Sequence, residues 1–407
     1  MAYLPEGYPA PIDGLLPNAG PTQKSFHAYL HIPFCKVRCG YCDFNTYTAP
    51  ELRGVSQAGF AKHLVTEIDF SSRVLEQSGL PSRPVSTVFF GGGTPTQLPA
   101  SDLAALVAKL HQTFGLEAGA EVTTEVNPDD VDLAYLQELK EAGFTRVSFG
   151  MQSAVPSVLK VLDRTHTPER VPQVVAWAKQ AGLQVSVDLI YGSPTESIDD
   201  WQQTLAAALA MQPDHISAYS LIVEPGTKMA RNLAAGVYPQ PDEDDQATMY
   251  ELADAAFEQA GYSWYEVSNW AKTPQNQSRH NLAYWAGNDW WGYGPGAHSF
   301  VAGTRWWNQK HPASYVAPLA QSNSPALGRE ELAAETKLEE RVLLELRLAS
   351  GLDIGVLKQL GVYQAGAVAG LIAEQLVQPQ AALTGTLVLT LKGRLLADLV
   401  VRKLLVG

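Results

Sequence analysis

The chain carries three cysteines, Cys35, Cys39 and Cys42, and all three fall in one stretch, "HIPFCKVRCGYCDFN" at 31–45. Thiolates are ligands for soft metals, and a four-iron, four-sulfur cube needs a ligand on each iron. Three thiolates leave one iron without a protein ligand, and an open coordination position is where substrate chemistry takes place. The C-x3-C-x2-C spacing lacks the paired C-x2-C knuckles of structural zinc sites, although His31 could complete a Cys3His zinc set. On these residues alone two readings stand: an iron–sulfur cluster with one open iron, and a zinc-stabilised binding module. Three thiols crowded together do not make a disulfide framework, so a reducing compartment is expected.

The elements that must position this segment read as βα units. Strands are expected at "FHAYLHI" (26–32), "STVFF" (86–90), "AEVTTEV" (120–126), "RVSFG" (146–150), "QVSVDLI" (184–190) and "HISAYSLIV" (215–223). Helices are expected between them, near 57–78, 101–113, 132–142, 155–163, 169–181 and 198–211. This alternation predicts an α/β fold, a partial (β/α)6 barrel, with a doubly wound sheet as the competing arrangement. Motif-like segments follow the first five strands: the cysteines, then "GGGTPT" (91–96), "NPDD" (127–130), "MQS" (151–153) and "YGSP" (191–194). In barrels of this kind chemistry gathers at the carboxyl ends of strands, so these segments are expected to share one mouth.

Composition sets the outer limits. With 407 residues, 46% hydrophobic and 17% charged, the chain has the makings of a soluble globular protein of two or three domains. A formal charge of −13 argues against nucleic acid as partner. No basic leader precedes an apolar run, and no stretch of about 18 apolar residues occurs, so a cytoplasmic location is expected.

Residues 1–24, rich in Pro and Gly, read as a loosely held arm, 25–230 as the barrel core and 231–324 as an aromatic-rich extension. Within that extension "PDEDDQATMYELADAAFEQAGY" is a helix with its acidic cluster in the first turn. Residues 262–310 look loop-rich and hold seven of the nine tryptophans, which either build a core or form a wall facing a flat ligand. Residues 325–407 are expected to form a small, mainly helical, winged-helix-like domain, with "GTLVLTLKGRLLADLVVRKLL" a short hairpin and a final helix.

Six ordered motifs, "YLHIPFCKVRCGYCDFN", "FFGGGTPT", "EVNPDD", "SFGMQS", "DLIYGSP" and "HNLAYW", resemble the radical S-adenosylmethionine superfamily. Within it they are similar to the oxygen-independent coproporphyrinogen III oxidase family and its HemW-type heme chaperones. The resemblance runs from about residue 26 to the end of the chain. It implies that Cys35, Cys39 and Cys42 hold a 4Fe-4S cluster whose open iron chelates the methionine end of S-adenosylmethionine. The reduced cluster then cleaves the sulfonium to a 5′-deoxyadenosyl radical.

The resemblance further implies cosubstrate contacts from Tyr29, Tyr41, Gly92, Gly93, Thr94, Glu125, Gln152, Arg164 and Asp188. Glycine there would let bare backbone approach a ligand. Glu125 would neutralise the ammonium, Arg164 would hold the carboxylate, Asp188 would accept from the ribose hydroxyls, and Tyr41 would pack on adenine.

Enzymes of the oxidase branch carry a further cysteine two positions after the third; here Phe44 stands there. That departure matches the heme-chaperone branch and puts porphyrinogen decarboxylation in doubt. The H-N-x-x-Y-W segment makes His280 the candidate ligand for heme iron, since neutral imidazole is a common axial ligand. The implied partners are heme, heme-accepting respiratory proteins that would bring the chain to a membrane, an electron donor such as a flavodoxin, and a second copy in a homodimer.

Overall fold

In the computed structural model, which describes residues 7–17 and 22–405, the six expected strands form and lie side by side in chain order. They are β1 (Phe26–Ile32), β2 (Val85–Gly92), β3 (Leu116–Val126), β4 (Arg146–Gln152), β5 (Gln184–Tyr191) and β6 (His215–Ser220), each parallel to the next. Consecutive parallel order is that of a barrel arc; a doubly wound sheet would reverse direction partway. The crossovers carry α1 (Phe60–Gln77), α2 (Ala100–Phe114), α3 (Leu133–Glu141), α4 (Pro156–Val161), α5 (Arg170–Gln180) and α6 (Ile198–Ala210). Local chemistry fixes their starts: at α6 Ser197 and Asp200 form a reciprocal capping box.

Strand residues alternate in character. Val147, Phe149, Val185, Val187, Ile216 and Ala218 are buried in the main core. Between them Arg146, Ser148, Ser186, Asp188, His215 and Ser217 line a common cavity. Parallel strands buried on both faces are ordinarily apolar throughout, so this period-two insertion of polar groups marks a wet interior.

The aromatic region is more ordered than its composition suggests. After α7 (Lys228–Ala234) and α8 (Glu243–Gln259), the strand β8 (Asn269–Ala271) adds antiparallel to β6, and β7 (Ser263–Glu266) pairs antiparallel with β8 at the edge. Asp242 caps α8 by accepting from Asp244 and Asp245 N–H, which accounts for its acidic first turn. Next come the short helix α9 (Arg279–Trp285) and β9 (Asp289–Tyr293), which pairs parallel to β1. Then β10 (His298–Val301), β11 (Thr304–Asn308) and β12 (Ala326–Glu331) continue antiparallel, giving a sheet of thirteen strands among the described residues. Between β11 and β12 lies α10 (Pro312–Leu319).

Two local expectations are corrected. The N-terminal arm lies in part on residues 1–6 and 18–21, outside the described residues, but its described part is tied down. Tyr8 and Pro9 pair antiparallel with Arg329 and Gly328, Arg329 donates to Leu15 C=O at 2.8 Å, and Leu16 is buried in the main core. The hairpin expected in "GTLVLTLKG" is also absent. Thr386–Leu387 pairs instead with Leu352–Asp353, distant in sequence, and two helical segments, Leu391–Leu395 and Ala397–Leu405, follow it.

The C-terminal helices enclose a second core running from Val342 to Leu404. One tie to the barrel is Arg394, which grips both carboxylate oxygens of Asp254 at 2.9 and 2.7 Å and lies over the Trp264 ring at 4.4 Å; backbone bonds such as Ala349 N–H to Tyr265 C=O at 2.9 Å are others. Arg394 and Asp254 are both largely buried, so Arg394→Ala is expected to cost about 2 kcal/mol. Hydrogen exchange should then quicken in 342–404 while β1–β6 keep their protection, and uniform protection would show that the tie contributes little. No helix among the described residues is long and apolar enough to cross a membrane.

Candidate functional site

The cysteine loop leaves β1 at the carboxyl end of the arc and is held by backbone bonds rather than by its thiols. Cys35 N–H donates to Tyr47 C=O at 2.9 Å, Tyr47 N–H to Pro33 C=O at 2.7 Å, and Met229 N–H to Gly40 C=O at 2.8 Å. Asn45 spans to the loops beyond β9 and β11 through Pro295 and Lys310 carbonyls at 2.9 and 2.7 Å. The three half-buried thiols therefore line one cavity of about 570 Å³.

The glycines after β2 have a packing reason of their own. A Cβ on Gly92, whose φ is +109°, would meet the His31 ring at 2.5 Å; one on Gly93 would lie 2.6 Å from Phe34 C=O and 3.0 Å from Cys35 Sγ. Only bare backbone lets the two loops close on each other. Gly93 and Thr94 N–H then bond to Ile32 and Phe34 carbonyls at 2.7 and 2.8 Å, and Thr94 Oγ1 sits 3.7 Å from Cys35 Sγ.

Eight of the nine expected cosubstrate residues line this cavity: Tyr41, Gly92, Gly93, Thr94, Glu125, Gln152, Arg164 and Asp188. Gln152 reaches it through an irregular register at the end of β4 and a left-handed φ of +61°, uncommon for a residue with a side chain. Arg164 donates to Gly150 C=O at 2.9 Å and points Nη1 at Cys39 Sγ at 3.6 Å, while its buried Nε has no partner.

Burial, with the Asp188 carboxylate second, pushes Glu125 up to about 8. Burial raises Asp188 to about 6, against hydrogen bonds from Ser148 and Ser217. The pair is thus short of negative charge near neutrality, a condition that an entering cation reverses. Burial also pushes the Cys35 thiol up to about 11; a metal binding there must displace that proton to solvent.

Tyr29, the ninth, is not in the cavity wall. Its hydroxyl bonds His31 Nδ1 at 3.1 Å, and its ring stacks on Phe89 with centroids 6.3 Å apart. His31 is occupied on both nitrogens, Nε2 meeting Asn45 C=O at 2.9 Å, and does not join the thiols. Among the described residues no group of three or more His, Cys, Asp or Glu side chains converges to hold a single metal ion. A donor set of three thiols around a roomy cavity, with an unpartnered guanidinium nitrogen nearby, fits a multi-iron cluster and an anionic group better than one zinc ion.

The "RHNLAYW" segment, α9, stoppers the arc from the amino-terminal side. Glu121 on β3 accepts from Arg279 and His280 N–H at 3.1 and 3.0 Å, and Arg146 lies 3.6 Å from the same carboxylate. His280 is 1% exposed, its Nδ1 bonded to Thr87 Oγ1 at 2.6 Å and its Nε2 to the Tyr284 hydroxyl at 2.8 Å. Its ring stacks on Phe89 at 5.1 Å, and burial holds it neutral. His280 does not line the cavity, but Ser278 and Asn281 of the same segment do.

Sequence reasoning missed this inner layer of Ser148, Ser186, His215, Ser217, Ser278 and Asn281, although polar residues at every second strand position signal it in "RVSFG", "QVSVDLI" and "HISAYS". None of the tryptophans lines the cavity; Trp270, Trp291, Trp306 and Trp307 are packed in cores.

Residues 29–208 match the Radical SAM superfamily. Over 398 residues, 98% of each chain, the protein is 44% identical to a protein of Mycobacterium tuberculosis named Heme chaperone HemW. It is 33% identical to the Bacillus subtilis protein of the same name, over 80% of this chain and 84% of that one. It is also 35% identical to the Bos taurus radical S-adenosyl methionine domain-containing protein 1, mitochondrial, covering 86% and 78%. Among solved structures, the Escherichia coli coproporphyrinogen III oxidase HemN superposes with a TM-score of 0.77 at 23% identity, covering 94% of this chain and 90% of that one. That last likeness is one of fold.

Proposed function

Because the chain belongs to the HemW heme-chaperone family of the radical S-adenosylmethionine superfamily, we propose that it binds heme and delivers it to acceptor proteins. In this reading Cys35, Cys39 and Cys42 hold a 4Fe-4S cluster beside bound S-adenosylmethionine. When bound, the cluster supplies an electron and an open iron for cleaving the cosubstrate. The chain's own residues bind and orient. Glu125 gives up its proton to face the ammonium, and Arg164 turns its unpartnered edge to the carboxylate. Asp188, already polarised by Ser148 at 2.8 Å, accepts from the ribose. Tyr29 acts from behind, by packing on Phe89 and His31.

The observation that carries delivery over porphyrinogen decarboxylation is Phe44, an exposed phenyl with no metal-ligating atom at the position of the oxidase branch's further cysteine. His280 is the heme-iron ligand in this reading, on one condition set by geometry: Tyr284 must release Nε2 first.

The test is an anaerobic titration of hemin, with and without S-adenosylmethionine, against the reconstituted full chain. One heme per chain is expected. His280→Ala should shift the bound-heme spectrum, and Tyr284→Phe, which removes the competitor for Nε2, should tighten binding several-fold. An unchanged spectrum in His280→Ala removes that residue as ligand. Formation of protoporphyrinogen from coproporphyrinogen III under the same conditions overturns the chaperone reading as a whole.

A further inference from the structure

Twelve large apolar side chains stand exposed among the described residues, and four of them line the one cavity that holds the cysteines. Val37 and Phe44, 45% and 57% exposed, rise from the loop after β1; Tyr219 and Ile222, 42% and 70% exposed, come from the end of β6 and the turn beyond it. Since β1 and β6 are the first and last strands of the six-strand arc, the four form apolar jaws contributed by its two ends. Leaving such surface in water at a cavity mouth is costly, and large apolar side chains gathered around one opening mark a binding site.

Two cations border the jaws on the side of the cysteine loop. Lys36 and Arg38 are exposed on the cysteine loop of a chain whose formal charge is −13, and both line the same cavity. The Arg38 guanidinium lies over the loop at 3.4 Å from the carbonyls of Cys42 and Phe44, so a cation sits beside the phenyl platform. Of the acidic groups at this mouth, Asp163 is paired with Lys228 at 2.8 Å, Asp43 is exposed, and Glu224 stands half-buried on the opposite side, two residues beyond Ile222.

We infer that this mouth is the docking surface for heme: the flat apolar macrocycle lies between the jaws Val37/Phe44 and Tyr219/Ile222, and its two propionates pair with Lys36 and Arg38. The inference rests on the heme-binding reading above and concerns where the macrocycle first docks; His280, which does not line this cavity, would reach the iron only after a rearrangement that releases its nitrogens and opens the floor of the chamber. An extended peptide would satisfy the apolar jaws but has no reason to present two carboxylates to the two cations of one loop. A rigid disc carrying both acids on one edge does.

The experiment uses the full chain, reconstituted anaerobically, titrated with hemin, with iron-free protoporphyrin IX and with its dimethyl ester. Iron and sulfide content, S-adenosylmethionine binding and melting temperature serve as controls on the variants. Phe44→Ser combined with Ile222→Ser should weaken all three ligands about tenfold or more, since two apolar contacts are withdrawn. Lys36→Glu combined with Arg38→Glu should weaken hemin and protoporphyrin IX to a similar degree while leaving the dimethyl ester unchanged.

Affinities within twofold of wild type in both double variants, with normal controls, overturn the docking surface and leave heme binding itself intact. Equal weakening of acid and ester by charge reversal overturns the propionate pairing. Failure of the wild-type chain to bind hemin at all sinks the underlying reading instead.

Discussion

Replacing any one of Cys35, Cys39 and Cys42 by alanine is expected to lower the iron and acid-labile sulfide of anaerobically reconstituted protein at least about tenfold and to abolish its spectral response to S-adenosylmethionine. The chain has no fourth cysteine to substitute, and His31, the nearest imidazole in sequence, has both nitrogens engaged. The loss should be confined to the cluster. The loop is fixed by backbone bonds such as Cys35 N–H to Tyr47 C=O, which a change of side chain leaves in place. Circular dichroism of the variants should therefore match the wild type. A full complement of iron and sulfide in Cys42→Ala would remove the three-thiolate site from which the functional reading starts.

The second large effect concerns stability. Glu67 on α1 is fully buried and ties the later part of the aromatic extension, residues 294–315, to the barrel. Its carboxylate accepts from Gly294 N–H at 2.7 Å, from the Tyr315 hydroxyl at 2.6 Å and from Asn308 Nδ2 at 2.8 Å. Glu67→Ala strands three buried donors and opens a cavity, and is expected to cost about 3–5 kcal/mol. Glu67→Gln keeps an acceptor and should cost far less.

The two side chains also separate by pH. Burial raises Glu67 from 4.5 to about 7, so between these values the folded state holds a proton that the unfolded state has lost. Its contribution is fully present below pH 4.5 and is lost as pH rises through 7, with a slope of up to about 1.4 kcal/mol per pH unit. Denaturant unfolding of wild type and Glu67→Gln at pH 5 and pH 8 isolates this term, since other buried carboxyls are common to both. Identical pH dependence in the two proteins would show that Glu67 does not titrate in this range.

How much of this was legible in the sequence depended on whether the cause was local. The strands β1 to β6 were readable because β-branched runs alternate with helix-length amphipathic segments, and their chain order in the sheet follows from short right-handed crossovers. The mouth was readable because unusual residues cluster where strands end. The strands "DWWGY" and "TRWWN" were not, because both of their faces are covered and no period-two pattern survives. Nor was the partner of Thr386–Leu387: propensity marks a strand but does not say which distant residues it meets.

At the site, the cysteine spacing marked the thiols, and the family resemblance named the glycines and carboxylates that line the same cavity. Neither could show that Tyr29 backs the wall rather than forming it, or that His280 has both nitrogens taken, since those facts come from neighbours on other strands.

The stopper at the closed end of the arc has a mechanical corollary. Seven residues of α-helix, about two turns, move as one rigid peg. The peg shows Asn281 to the chamber above while Glu121 clamps its amino end and Thr87 its imidazole. The floor of the chamber and the His280 pocket therefore belong to one short helix, and displacing Asn281 would strain the bond from His280 to Thr87 on the neighbouring strand.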